Sequence, residues 1–509
     1  MVRAANPIIP GFAPDPSICR VGEDYYLVNS TFSYFPGLPI YHSRDLANWE
    51  LIGSALDRTS QLPLDGQGVS RGLFAPTIRY CNGTYYIICT NIDCGGNFLV
   101  TASDPRGPWS EPYWLGEEAS GIDPSLFFDD DGSCWYCGTR GRSEGEKYFG
   151  DNEIYLRRLD LETMKLTGET YIVWHSALRD AHWPEGPHIY KKDGWYYVMI
   201  AEGGTGPNHA VSIARSRTLT DYYEGFMNNP ILTHRHLGSD YPISKVGHAD
   251  LVDAADGSWY MVMLASRPQR KVCPLGRETF LARVTWEEDW PVVNPGIGKL
   301  EDSVEMPFEP CPLPCENGRF TFEGDALSTE FMALRRPIGE RADLTAVPGS
   351  LRLYASSETL AGSASPSYLS VRPRTLDFVV SASVSSARPA EEYGIAVLQN
   401  ETHNIRLVRR GDSVDAVVCC GGEETVAGSV PVSGEVLELS ITVRDLYASF
   451  CCNGTTVAEG VDVIFLSTEI ADGFVGNTAG LYCRSGNDFD SVGKDADYLD
   501  CSLLELSGC

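Results

Sequence analysis

A chain of 509 residues with 69 acidic against 40 basic side chains carries a formal net charge of −29. A surface this negative is repelled by phosphate backbones and by anionic headgroups, which excludes nucleic acid and membrane as partners and leaves neutral ligands open. The 21% charged and 43% hydrophobic fractions are ordinary for a globular chain, so the acidity does not mean disorder, and the length has room for roughly two to four domains.

The segment Met1–Pro7 lacks the apolar stretch of a secretory signal, and no run approaches the ~18 apolar residues of a spanning helix. The expectation is a soluble, cytoplasmic protein. Its sixteen cysteines then read as reduced, buried thiols. Cys134 and Cys137 have CxxC spacing but lie in a strand-like run, where i and i+3 face opposite sides, which argues against zinc. A homo-oligomer is compatible with the sequence without being indicated by it.

Five segments then repeat one pattern: a short apolar strand, a tight turn and an aromatic strand. They begin at Asp15-Pro16-Ser17, Ala75-Pro76-Thr77, Asp123-Pro124-Ser125, Gly186-Pro187-His188 and His248-Ala249-Asp250. Turns such as Asn82-Gly83 and Asp193-Gly194 admit positive φ cheaply, so each unit predicts a hairpin. Weaker echoes lie between the hairpins, at Ser43–Trp49, Ser103–Trp109, Leu159–Leu161 and Ser216–Tyr222, and read as outer strands. Hairpin plus outer pair makes a four-stranded sheet, and five such sheets arranged radially make an all-β, five-bladed β-propeller. This domain is assigned to residues 1–305, and the proline-rich residues 306–318 to a linker. Alternating strands beyond it, including Leu351–Tyr354, Phe378–Ala382, Ile395–Leu398 and Ile405–Val408, predict a C-terminal antiparallel β-sandwich over 319–509.

In a propeller the innermost strands converge on one axis, so equivalent repeat positions line one central pocket. Those positions hold Asp15, Ala75, Asp123, Gly186 with Glu185 one step ahead, and His248. Three carboxylates and an imidazole thus meet, and crowding of like charge raises at least one pKa. Paired carboxylates across a pocket are the machinery of glycoside hydrolysis. Among nearby aromatics, Phe32 and Phe74 in loop-like context are candidates to face a sugar, alongside Phe35 and Trp183, whereas Trp259 reads as blade packing.

These residues carry a family resemblance. Phe12-Ala13-Pro14-Asp15-Pro16-Ser17, Phe74-Ala75-Pro76-Thr77-Ile78, Gly121-Ile122-Asp123-Pro124-Ser125, Pro184-Glu185-Gly186-Pro187, Ala201-Glu202-Gly203-Gly204-Thr205-Gly206, Gly247-His248-Ala249-Asp250 and Gly276-Arg277-Glu278-Thr279, in that order, resemble glycoside hydrolase family 43. The likeness is to its two-domain β-xylosidases and α-L-arabinofuranosidases, with Tyr393–Asn400 and Ile405–Val408 resembling their concanavalin-like sandwich.

The resemblance implies an exo-acting enzyme that hydrolyses with inversion. It removes terminal D-xylose, L-arabinofuranose or both from short neutral oligosaccharides, with the sandwich closing one side of the pocket. Asp15 would be the general base, Glu185 the general acid and Asp123 the carboxylate that raises and orients the acid. Inversion asks for ~6.5–9.5 Å between base and acid, room for a water. Arg277 would reach the sugar. His248 is either a satisfied core histidine or the neighbour of an axial cation such as calcium; no cofactor is required. His209, His234 and His236 read as loop supports. Two readings compete: a non-catalytic sugar-binding propeller, and a retaining fructosidase-type hydrolase. Phe74, where many relatives carry Trp, and Phe331 in the sandwich depart from the family pattern and bear on substrate preference.

Overall fold

The computed structural model describes residues 1–313 and 318–508, so residues 314–317, within the expected linker, lie outside the described residues, as does Cys509. Residues 15–293 form five four-strand meanders, each from one contiguous stretch. The first runs Ser17–Val21, Asp24–Val28, Gly37–Ser43 and Glu50–Leu56, antiparallel throughout. The inner strands of the other four are Thr77–Cys81, Ile122–Phe128, Glu185–Lys192 and Ser244–Asp253. The fourth blade carries a short extra strand, Leu232–Thr233, on its third strand. Asn82-Gly83 and Asp193-Gly194 take positive φ at both positions, as two-residue hairpin turns between right-twisted strands require.

The echoes between the hairpins are not the outer strands but the turns that follow third strands, with Leu159 and Asp160 closing the third strand of the third blade. Ser43–Trp49 and Ser103–Trp109 are the turns that join third to fourth strands. Their polar residues bond the turn backbone: Ser43 Oγ accepts from Leu46 N at 2.9 Å and Asp45 Oδ1 from Asn48 N at 2.8 Å. The Trp49 and Trp109 indoles donate to the carbonyls of Leu46 and Pro105. The repeating signal was turn chemistry, which competes with the strand ladder.

One apolar cluster fills each junction between neighbouring blades. Ile78, Ile87 and Phe98 pack on Val28 and Ile40; Leu126 and Tyr136 pack on Ile88 and Leu99. Phe127 and Ile154 meet Ile189 and Val198, and Met199 and Ile213 meet Met261 and Phe280. The junction of blades five and one, with Val252 and Tyr260 against Ile18 and Tyr25, also holds Val2, Ala4, Val304 and Met306. Those last four belong to a two-stranded clasp, Val2–Ala5 paired with Ser303–Met306.

Deep on the axis, Asp250 is fully buried and accepts from Arg79 Nη1 at 2.8 Å, Tyr190 Oη at 2.7 Å and Ser17 Oγ at 2.7 Å. Burial opposes its ionisation, yet Arg79 and these donors hold its carboxyl far below the usual range. Four blades are riveted by this one carboxylate.

The second unit is a sandwich of two antiparallel sheets. One contains Ser350–Tyr354, Tyr498–Gly508, Phe378–Ser385 and Val436–Arg444; the other contains Thr478–Arg484, Glu392–Asn400 and His403–Arg410. The four strand runs expected from sequence all fall inside these elements. Phe331 packs tilted against Phe320 and stacked against Phe322 in the sandwich core. Ala396, Leu398, Val408 and Tyr482 form a shared core with Phe12, Phe32, Tyr34 and Val69 of the propeller. Ala333–Leu334 also pairs with Tyr34–Phe35. Before it, the linker residue Cys311 donates its N–H to Asp45 Oδ2 at 2.7 Å, tying the described linker to the first blade.

Candidate active site

The inner strands do not merely begin near the axis; they are deformed there. Asp15, Asp123, Gly186 and His248 have φ of 51°, 51°, 57° and 48°, a left-handed conformation that is uncommon for residues with a Cβ. Asp123, the Glu185–Gly186 pair and His248 each lie where one extra residue bulges the strand. The bulge turns the side chain out of the ladder and toward the axis, and strain of this kind concentrates at functional positions. Ala75, the equivalent residue of the second blade, is not in this set.

The outcome is one cavity of about 610 Å³ lined by Asp15, Ala75, Asp123, Glu185, His248 and Arg277, with Phe32, Phe74 and Trp183. Of the other aromatics weighed, Phe35 packs between blades one and two. Trp259 meets Trp286 edge to face at 5.4 Å.

Arg277 binds Asp15 with both arms, Nη1 to Oδ1 at 2.6 Å and Nη2 to Oδ2 at 3.3 Å, and Ser30 Oγ donates to Oδ2 at 2.6 Å. Asp15 is 4% exposed and Arg277 9%. Asp123 accepts the Gly186 N–H; burial pushes its carboxyl up to about 6, with His248 opposing and the Asp15 charge adding to the rise. Glu185 is driven well above the ordinary range, first by burial and then by the charges of Asp123 and Asp15, against the pull of Arg277. One carboxyl is thus ion-paired and another driven toward its protonated form, in the same chamber. Environments that push carboxyl groups apart in this way divide acid from base.

Gly186 has a second function. A Cβ there would stand 2.9 Å from His248 Cε1, so glycine admits the imidazole beside Asp123. His209 and His234 support loops, as expected: His209 Nδ1 pairs with Lys245 O at 3.0 Å, and His234 links Ile243 O to Leu300 N. Among the described residues no three His, Cys, Asp or Glu side chains gather as a metal-ligand set. His248 and Asp123, neighbours on the axis, are the residues that would face an axial cation such as calcium.

Residues not singled out from sequence complete the chamber. Phe149 lies edge to face on Trp183 at 5.4 Å, and the indole sits between Gly150 and Gly204, where a Cβ would come within 2.7 and 2.6 Å of it. Thr205 lines the cavity, and its buried hydroxyl has no hydrogen-bond partner among the described residues. Thr468, Asp472, Gly473 and Phe474 come from the sandwich. Phe474 stacks on Phe32 at 5.8 Å and 15° and meets Phe74 edge to face at 5.8 Å. The glycine-rich Gly203–Gly206 run was a usable signal for Thr205; nothing local marks Phe149 or Phe474.

A five-bladed propeller with three inward carboxyl groups in different surroundings, one gripped by a guanidinium and two buried, in a chamber walled by aromatic rings, defines the class: a glycosidase. Residues 4–291 match the description "Glycosyl hydrolases family 43" and residues 319–501 match "Beta xylosidase C-terminal Concanavalin A-like domain", and the chain belongs to glycosyl hydrolase family 43. It is 49% identical to a xylosidase/arabinosidase of Butyrivibrio fibrisolvens, over 99% of both chains. It is 38% identical to a non-reducing end alpha-L-arabinofuranosidase of Bacteroides ovatus, over 98% of this chain and 95% of the other. The solved structure of a xylan beta-1,4-xylosidase from Bacillus halodurans superposes with a TM-score of 0.89 at 31% identity, covering 99% of this chain and all of that one. Neither the non-catalytic nor the fructosidase reading is favoured by these matches. No helix among the described residues is long and apolar enough to cross a membrane.

Proposed function

We propose that this enzyme releases terminal D-xylose, L-arabinofuranose or both from short oligosaccharides with inversion at the anomeric carbon. Asp15 accepts a proton from water as its oxygen attacks the anomeric carbon. Glu185 gives its proton to the glycosidic oxygen as that bond breaks, so the leaving sugar departs as a neutral alcohol. Asp123 keeps Glu185 protonated through its charge, and Arg277 orients Asp15 and donates to sugar hydroxyls. Phe32 and Phe74 offer apolar ring faces to the sugar, and His248 braces Asp123 from the axis.

The observation that carries this reading is the pairing, within one chamber, of a carboxylate held by a guanidinium fork with a buried carboxyl whose pKa is driven well above the ordinary range. A chamber whose wall is completed by Thr468, Asp472, Gly473 and Phe474 of the sandwich suits chain ends, hence exo action. Free thiols at every described cysteine support a reducing, cytoplasmic setting and imported oligomers as substrate.

The test compares kcat/KM on nitrophenyl β-D-xylopyranoside and α-L-arabinofuranoside, and follows the first-formed product anomer by NMR. Initial α-xylose from the β-xyloside is the expected result. Initial β-xylose, or full activity in Asp15→Ala and Glu185→Ala, overturns the assignment.

A further inference from the structure

The sandwich reaches the chamber through one segment, residues 467–477, that leads into the strand Thr478–Arg484. A single helical turn, Thr468–Ala471, precedes Asp472 and Gly473, both at positive φ, and then Phe474. Phe474 is the ring that completes the aromatic wall, and its carbonyl accepts from Arg277 Nη2 at 3.4 Å. Placing that ring therefore places one wall of the sugar site.

Glu469 is the side chain of this segment that crosses to the propeller on both of its oxygens. Oε1 takes Lys245 Nζ at 2.5 Å, and Oε2 takes the Cys273 N–H at 2.7 Å. Lys245 belongs to the inner strand of the fifth blade, is held at φ 57° and lines the chamber. Cys273 lies in the loop that runs on to Arg277. One carboxylate thus grips two propeller segments that flank the catalytic arginine. The ion pair is largely shielded, its side chains 15% and 26% exposed, and removing one partner of a shielded pair strands the other charge. Further along the strap, Phe474 N donates to Ser70 Oγ at 2.9 Å and Asn477 N to Pro274 O at 2.9 Å. A Cβ on Gly476 would fall 2.0 Å from Leu275 O, so this end of the strap is pressed onto the propeller backbone. Between the two fixed ends, the turn at 472–473 is what Glu469 holds in place.

We propose that Glu469 is a positioning residue: through Lys245 and the Cys273 N–H it fixes Phe474 as the sandwich's wall of the pocket, so that affinity for the terminal sugar is set across the domain boundary. The proposal rests on the glycosidase reading above only for the identity of that sugar. Loss of the latch frees an apolar wall that touches ground state and transition state alike, which weakens binding more than it slows chemistry.

The experiment measures kcat, KM and the inhibition constant of the product monosaccharide for Glu469→Ala, Glu469→Gln, Phe474→Ala and the double variant Glu469→Ala/Phe474→Ala. Glu469→Ala is expected to raise KM and the product inhibition constant together by about tenfold while kcat stays within about threefold. Glu469→Gln keeps an acceptor for Cys273 and recovers part of the loss. The double variant is no weaker than Phe474→Ala alone, because both act through one ring. Parent-like KM and inhibition constants in Glu469→Ala, or additive losses in the double variant, overturn the proposal, and a lowered Tm alone does not sustain it. If Glu469→Ala does not fold, the Glu469→Gln values decide. Should the parent hydrolyse neither glycoside, calorimetric binding of D-xylose and L-arabinose to the same variants separates failure of the latch from failure of the substrate assignment.

Discussion

Arg277 Nη1 lies 2.6 Å from Asp15 Oδ1, so a residue of the fifth blade fixes the carboxylate of the first. Two parallel arms do this, and a lysine offers only one point charge. Arg277→Lys and Arg277→Ala are both expected to lower kcat/KM by about 10²- to 10³-fold, with lysine recovering little. Recovery to within a few-fold by lysine would show that charge without the fork suffices.

Acid and base are separable by the leaving group. Glu185→Ala is expected to lose about 10²- to 10⁴-fold in kcat on an oligosaccharide, and far less on an activated aryl glycoside whose phenolate departs unaided. Asp15→Ala loses activity on both, since water attack is common to them. Equal losses on the two substrates in Glu185→Ala would remove its acid role.

The pH profile follows from Asp123. Its charge helps to raise the Glu185 pKa, so Asp123→Asn moves the alkaline limb of kcat/KM to lower pH as well as reducing the maximum. Its own carboxyl is raised from 3.8 to about 6. The folded state therefore holds a proton that the unfolded chain releases, and stability falls as pH rises through that window. Asp123→Asn removes this penalty: its Tm is expected to exceed the parent's by about 2–4 °C at pH 7.5 and to match it at pH 4. Differential scanning calorimetry at the two pH values checks the sign.

Gly186→Ala adds one methyl group at φ 57° and 2.9 Å from the His248 ring. Strain and displacement together cost about 1–3 kcal/mol, and the moved imidazole and Gly186 N–H disturb Asp123. Lower Tm accompanied by a shifted alkaline limb is the expected pair of effects; a lower Tm with an unchanged profile would mean that the contact is structural alone.

Thr205→Val keeps the shape and removes the hydroxyl that faces the cavity without a partner among the described residues. A lost hydrogen bond to the sugar is worth about 0.5–1.5 kcal/mol, so kcat/KM falls about 2- to 12-fold. Unchanged kcat/KM on both glycosides would leave Thr205 outside substrate recognition.

Much of this site was legible because repetition is legible. Asp15, Asp123, Glu185 and His248 announce themselves by standing at one place in a recurring hairpin, and the hairpin turns carry their own Gly and Asn signals. The echoes around Trp49 and Trp109 were misplaced for a related reason: Ser, Asp and Trp bonded to turn carbonyls recur as regularly as strands do, and in a one-dimensional pattern the two are alike. Phe474 was invisible on different grounds. Its role depends on a strap that meets the propeller some 200 to 400 residues away in sequence, at Lys245, Cys273 and Ser70, and no local periodicity encodes such a meeting. Phe149 likewise owes its place to the Trp183 indole it packs on, which sits in a slot between Gly150 and Gly204 that exists only once two loops have come together.

The clasp of Val2–Ala5 with Ser303–Met306 stands outside all five blades, and no blade borrows a strand from the far end of the ring. Closure is therefore a docking event between finished sheets, sealed by side-chain packing, by bonds such as Ser17–Asp250 and Arg20–Asp253, and by the Ile9–Thr279 backbone pair. A backbone cut in the turn at Ser103–Trp109 would leave every inner hairpin whole, with Asp15 on one fragment and Asp123, Glu185 and Arg277 on the other. Two separately inert polypeptides would then regain hydrolysis only on reassembly, which makes the propeller a natural scaffold for fragment complementation.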